Sequence, residues 1–240
     1  MTLTLSAVAF DTRNPEAAGV FWAGVLGRDM IEAPDGVLVP GNETQLGLRF
    51  VAASAFDPAT APSRQRLHLH IATTASYTPM QIMETAARLG GSRRGTKPIP
   101  ADGEIYMSDP AGYDFCIIEP GNGYLAGCGP LGEVTCDGSR DVGLFWRDAL
   151  GWPLVWDEGL QTAIQSPFGG TKIAWDGEDD GTEHVPGEQR FEVIADDLTA
   201  ELTRLVGLGA TVIGEERRAA ILADPDGGVL TVREGGSRRV

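Results

Sequence analysis

Two stretches of this chain occur twice, in the same order and at similar spacing. Phe21-Trp22-Ala-Gly-Val-Leu26-Gly27 returns as Phe145-Trp146-Arg-Asp-Ala-Leu150-Gly151, and Asp109-Pro110-Ala-Gly112 returns as Asp224-Pro225-Asp-Gly227. Each half also has a second helical stretch ending in Leu-Gly, at Leu89-Gly90 and Leu208-Gly209. A fold built from this chain must accommodate a tandem duplication. At 240 residues each copy is long enough to bury its own core. The expected organisation is one domain over residues 1–120, a glycine-rich linker over 121–132 and a second domain over 133–240.

Each half reads as strands around two helices. In the first, the apolar run Leu3–Phe10 is a strand, and Asn14-Pro15-Glu16 caps a helix and suits its dipole. Ala18, Phe21, Trp22, Val25 and Leu26 recur at helical spacing, and Gly27 ends the helix. Further strands are expected at 37–39 and 45–51, followed by a loop over 52–66. Leu67-His-Leu-His-Ile71 alternates, so its histidines share the face opposite the leucines. A second helix starts at Thr78-Pro79, and the Asp-Pro-Ala-Gly turn joins strands 105–108 and 114–119. The second half repeats the plan, with an acidic loop over 176–188 in which His184 is solvated. In the Asp-Pro-x-Gly turns the proline fixes φ and the glycine permits a positive one.

Composition excludes several roles. With 34 acidic against 19 basic residues the net charge is −15, which repels phosphate backbones and anionic membranes. Neither nucleic acid nor membrane is an expected partner. The chain has no run of ~18 apolar residues and no basic, apolar leader, so a cytoplasmic location is expected. Cys116, Cys128 and Cys136 form no Cys-x-x-Cys pair and read as reduced thiols.

The aromatic pair followed by Leu-Gly, the His-bearing strand before the second helix, the Leu-Gly helix end and the closing Asp-Pro-x-Gly hairpin resemble the vicinal-oxygen-chelate superfamily. That superfamily holds glyoxalase I, extradiol dioxygenases, fosfomycin-modifying enzymes and bleomycin-sequestering proteins. The resemblance covers almost the whole chain and implies an α+β fold: tandem repeats of paired βαβββ modules, each half curling its mixed sheets around a cavity with the helices outside. In metal-using members a divalent ion in that cavity, held from the first, fourth, fifth and eighth strands, chelates adjacent substrate oxygens.

Carried over by position, the resemblance puts the first-strand ligand at Ala7 in one half and Glu133 in the other. The fifth-strand ligand falls at or beside His68 and at Glu192, and the closing ligand at Cys116 and Thr231. Fourth-strand candidates are Gln45 or Arg49, and Lys172. No half carries a complete His/Glu set, so the metal expectation is either none or a divalent Zn, Ni, Mn or Fe on His68, Glu133 and Glu192. A mixed site with ligands from both halves would satisfy the same pattern.

Read for chemistry, His68 and Glu192 are the candidate proton-transfer groups, because imidazole titrates near neutral pH and burial raises a carboxyl. His70, Cys116, Tyr106, Trp156 and Trp175 are candidates for lining a ligand pocket. Each has a plain structural alternative: a sheet histidine, a small apolar filler, core aromatics. The first functional reading is an enzyme of lyase, isomerase or oxygenase type acting on a small oxygenated molecule. The alternative is a protein that sequesters an antibiotic-like ligand. The expected partner is a small molecule, and the chain is expected to act as a monomer or homodimer.

Overall fold

The computed structural model describes residues 3–53, 65–95, 103–177 and 189–235. His184, most of the acidic loop and the Arg238-Arg239 tail lie outside them. The first unit is β1 (Leu3–Thr12), α1 (Pro15–Leu26), β2 (Ile31–Ala33), β3 (Gly36–Val39) and β4 (Gly47–Ala52). The second is β5 (Leu67–Ile71), α2 (Pro79–Arg88), β6 (Ser92–Arg93), β7 (Ile105–Ser108) and β8 (Asp114–Ile117). The third is β9 (Leu131–Cys136), α3 (Arg140–Leu150), β10 (Leu154–Glu158), β11 (Gln161–Gln165) and β12 (Lys172–Trp175). The fourth is β13 (Gln189–Ala195), α4 (Leu198–Gly207), β14 (Thr211–Glu216), β15 (Ala219–Ala223) and β16 (Val229–Glu234). Four βαβββ units therefore follow one another. The strands that sequence reading omits, β2, β6 and β14, close outer ends of the sheets, where short length or solvent exposure blurs apolar alternation.

The local signals act as their chemistry predicts. The side chains of Asn14, Thr78, Ser139 and Asp197 cap α1, α2, α3 and α4, and α1 and α3 end on Gly27 and Gly151 in the left-handed region. Buried Phe21, Trp22, Val25 and Leu26 form the inner side of α1, each contributing about 1.5–3 kcal/mol. Among the described residues no helix is long and apolar enough to cross a membrane.

Two open eight-stranded mixed sheets result, in the orders β14-β15-β16-β13-β1-β4-β3-β2 and β10-β11-β12-β9-β5-β8-β7-β6. Here the sheets depart from the expected pairing. Each half does not curl its own two units into one sheet; the first sheet joins units one and four, and the second joins units two and three. The glycine-rich segment after β8 delivers β9 antiparallel to β5, so the third unit extends the second unit's sheet. That leaves β1 and β13 to pair antiparallel with each other.

The repeated motifs explain what holds each half together. Trp22 Nε1 donates to Asp109 Oδ2 at 2.9 Å, and Trp146 Nε1 to Asp224 Oδ2 at 3.1 Å. Each indole also packs edge-on against a phenylalanine, Phe115 at 5.0 Å and Phe191 at 4.8 Å. The Phe-Trp helix of the odd unit is thus clamped to the Asp-Pro-x-Gly hairpin of the even unit. Burial pushes the Asp109 carboxyl up to about 6 against its hydrogen bonds from Trp22, Tyr113 and Ala111.

Two glutamines tie one sheet to the other. Gln45 engages both the N–H and the carbonyl of Leu131 at 3.1 and 3.3 Å. Gln189 does the same with Leu67 at 3.0 and 2.7 Å. A primary amide offers N–H donors and an acceptor oxygen side by side, so each glutamine completes the opening residue of a strand in the opposite sheet.

Candidate active site

Strand alternation decides which residues leave the core. Along β5, Leu67, Leu69 and Ile71 are buried in the core, so His68 and His70 stand on the opposite, polar face. Register then aligns one row across that face of the second sheet: Lys172 opposite Glu133, Glu133 opposite His70, His70 opposite Cys116, and Cys116 opposite Tyr106. Neighbouring strands are ~4.8 Å apart, so adjacent members of the row are in reach of one another.

Glu133 is the buried centre of this row. Its carboxylate accepts from Tyr124 OH at 2.7 Å and Thr135 Oγ1 at 3.1 Å, and lies 3.0 Å from His70 Nδ1. Burial acts to raise its pKa, but the bonds to His70, Tyr124 and Thr135 outweigh it and hold the group below the ordinary carboxylate range. The ionised carboxylate therefore selects the imidazole tautomer with the proton on Nδ1, leaving Nε2 to face other groups.

His70, Glu104 and Cys116 offer three ligand atoms within 4.8 Å of one another. The Cys116 thiol is pushed up to about 12, first by burial and then by the Glu104 carboxylate. Glu104 also raises the phenol of Tyr106, which is 54% exposed at the end of the row. On the other side of Glu133, Lys172 donates to the Tyr124 carbonyl and places its ammonium 3.7 Å from the centre of the Tyr124 ring. Trp156 meets the same ring edge-on at 5.9 Å.

The structure brings together Glu133, His70, Cys116 and Tyr106 from the expected set. His68 lies one row away, opposite Thr135, and the register slot beside Cys116 belongs to His70, two residues on. Glu192 does not join Glu133 and the histidines: β13 belongs to the first sheet, because unit four pairs with unit one. There the corresponding row is Gly47, Ala7, Glu192 and Thr231, and Glu192 lies 3.6 Å from Arg49 Nε and 3.4 Å from Arg233 Nη2. The metal set His68, Glu133 and Glu192 is thus divided between two sheets. Trp175 is in the core at 2% exposure, where the inward parity of β12 puts it, and only Trp156 of the tryptophan pair is available to a ligand.

Sequence reading missed Glu104 and Tyr124. Glu104 is two residues before Tyr106, so strand parity extended by one residue past β7 would have placed it on the same face. Tyr124 gave no such signal, because a glycine-rich linker reads as a spacer.

A family model for the glyoxalase-like domain matches residues 7–118 and 133–233. Among solved structures, glyoxalase I from Zea mays superimposes with a TM-score of 0.69 at 14% identity, over 97% of this chain and 92% of its own. A putative dioxygenase from Bacillus subtilis does so with a TM-score of 0.57 at 16% identity, over 97% of this chain and 85% of its own. No curated protein matches the sequence. With the family model covering most of both halves, the chain belongs to the glyoxalase-like domain family.

Proposed function

We propose that the polar face of the second sheet is an active site for a small oxygenated molecule, with chemistry of lyase, isomerase or oxygenase type. The observation that carries this reading is the row itself: a buried, ionised Glu133 orients His70, and Cys116 and Glu104 stand within ligand distance of that histidine.

The donors fit a divalent metal. One imidazole, one carboxylate and one thiolate make the three-ligand set of an open zinc-type site, and nickel or iron accept the same donors. Glu133 then serves as the carboxylate that orients a ligating histidine. When bound, a divalent ion supplies Lewis-acid polarisation of a carbonyl or enolate oxygen. Glu133 keeps the His70 ring fixed through Nδ1, and Tyr124 and Thr135 keep Glu133 fixed in turn. Tyr106, protonated beside Glu104, donates a hydrogen bond to a ligand oxygen at the exposed end of the row.

Metal uptake by purified, tag-free protein tests the proposal. About one zinc or nickel per chain is expected, released by His70→Ala and weakened by Cys116→Ser. Because a thiol at about 12 must lose its proton, uptake is expected to strengthen from pH 6 to pH 8. A protein that takes up neither zinc, nickel nor manganese, or a His70→Ala variant that binds like wild type, would contradict it. The sequestering alternative draws on Trp156 against Tyr124, and a metal-free protein that quenches on binding planar aromatic molecules would shift the reading there.

A further inference from the structure

The row on the second sheet contains a cation as well as its donors. Lys172 is opposite Glu133 and is partly buried, yet among the described residues its ammonium has no carboxylate within ion-pair distance. Its contacts are the Tyr124 carbonyl and the face of the Tyr124 ring. The adjacent Glu133 carboxylate spends its oxygens on Tyr124, His70 and Thr135. An ammonium has three N–H donors and one goes to the carbonyl, which leaves donor capacity and a positive charge unmatched. In a chain with 34 acidic residues, most half-buried cations on these faces do find an acid: Arg49 has Asp35 and Glu192, and Arg190 has Asp11. A sheltered cation left without one, beside the proposed reacting groups, is arranged for an anion supplied from outside.

We infer that Lys172 receives a carboxylate of the substrate, so that the site takes an organic acid rather than a neutral carbonyl compound. This rests on the second-sheet face being the active site. The backbone of Lys172 is two strand spacings from His70, about 10 Å, and the long lysine side chain shortens that span. The carboxylate is therefore separated from the reacting oxygen by a short carbon chain. The ring face and the carbonyl of Tyr124 hold the ammonium in place.

The test compares 4-oxopentanoate with its neutral amide, 4-oxopentanamide, in binding titrations followed by tryptophan fluorescence and ligand-observed NMR. Wild type is expected to bind the acid about tenfold or more tightly than the amide. Lys172→Met is expected to erase that preference and Lys172→Arg to keep most of it. Equal binding of acid and amide by wild type, binding of neither, or a preference that survives in Lys172→Met would overturn the inference. Zinc uptake by wild type, measured on the same sample, reports on the metal reading separately. Zinc uptake without acid preference sinks only the anion assignment, whereas acid preference without zinc uptake sinks only the metal.

Discussion

On the first sheet the central row is Gly47, Ala7, Glu192 and Thr231; on the second the strands in the same places have Lys172, Glu133, His70 and Cys116. Two of the first four offer no functional group, and the remaining carboxylate is flanked by Arg49 and Arg233. Its charge is answered within the protein. On the second sheet the carboxylate instead orients an imidazole, and a thiol, a second carboxylate and an ammonium surround the pair. The contrast separates two uses of one scaffold. What the duplication repeats, the Trp–Asp clamp and the turn behind it, is structural and present in both halves. What differs between the copies is the polar face, and that is where chemistry is to be sought.

The largest effects should test the shared part. Trp22→Ala and Trp146→Ala each remove a buried indole and strip a buried aspartate of a donor, and each is expected to cost about 3–5 kcal/mol in urea unfolding. Comparable losses would support equivalent clamps. A much smaller loss at one site would break the equivalence.

A smaller effect distinguishes the two clamps by pH. The folded-state carboxyl of Asp109 is raised to about 6 from 3.8, so the unfolded chain ionises first. Its contribution is therefore most favourable below about pH 4 and is lost as pH rises through 6, a change of about 3 kcal/mol. The stability gap between wild type and Asp109→Asn should move by roughly that amount between pH 4 and pH 7. Asp224 is raised in the same direction, but Arg66 at 3.8 Å opposes the burial, so its Asn variant should show a smaller movement. A gap that stays constant for Asp109 would mean that its hydrogen bonds fully offset burial.

Much of this was legible in the chain because it is local. Alternation in Leu67-His-Leu-His-Ile71 sorted core from polar face, and the spacing of Ala18, Phe21, Trp22, Val25 and Leu26 gave the buried side of α1. The closing position seven residues beyond Asp109 placed Cys116 on the right strand. The pairing of units across halves was not legible, since it depends on which first strand the linker delivers beside β5. That single choice separates Glu192 from Glu133. Tyr124, which holds Glu133 from the linker, depends likewise on long-range packing and not on local period, whereas Glu104 lies one residue beyond β7 on a parity that strand already sets.

The most direct measurement of the central claim, that the second sheet alone has the reactive face, is calorimetric zinc titration of wild type, Glu133→Gln and Glu192→Gln. Glutamine at 133 still reaches His70 but loses the charge that fixes its tautomer, and zinc affinity is expected to fall about 10–100-fold. Glutamine at 192 should leave it unchanged. Loss of affinity in Glu192→Gln with none in Glu133→Gln would place the site on the first sheet and contradict the account.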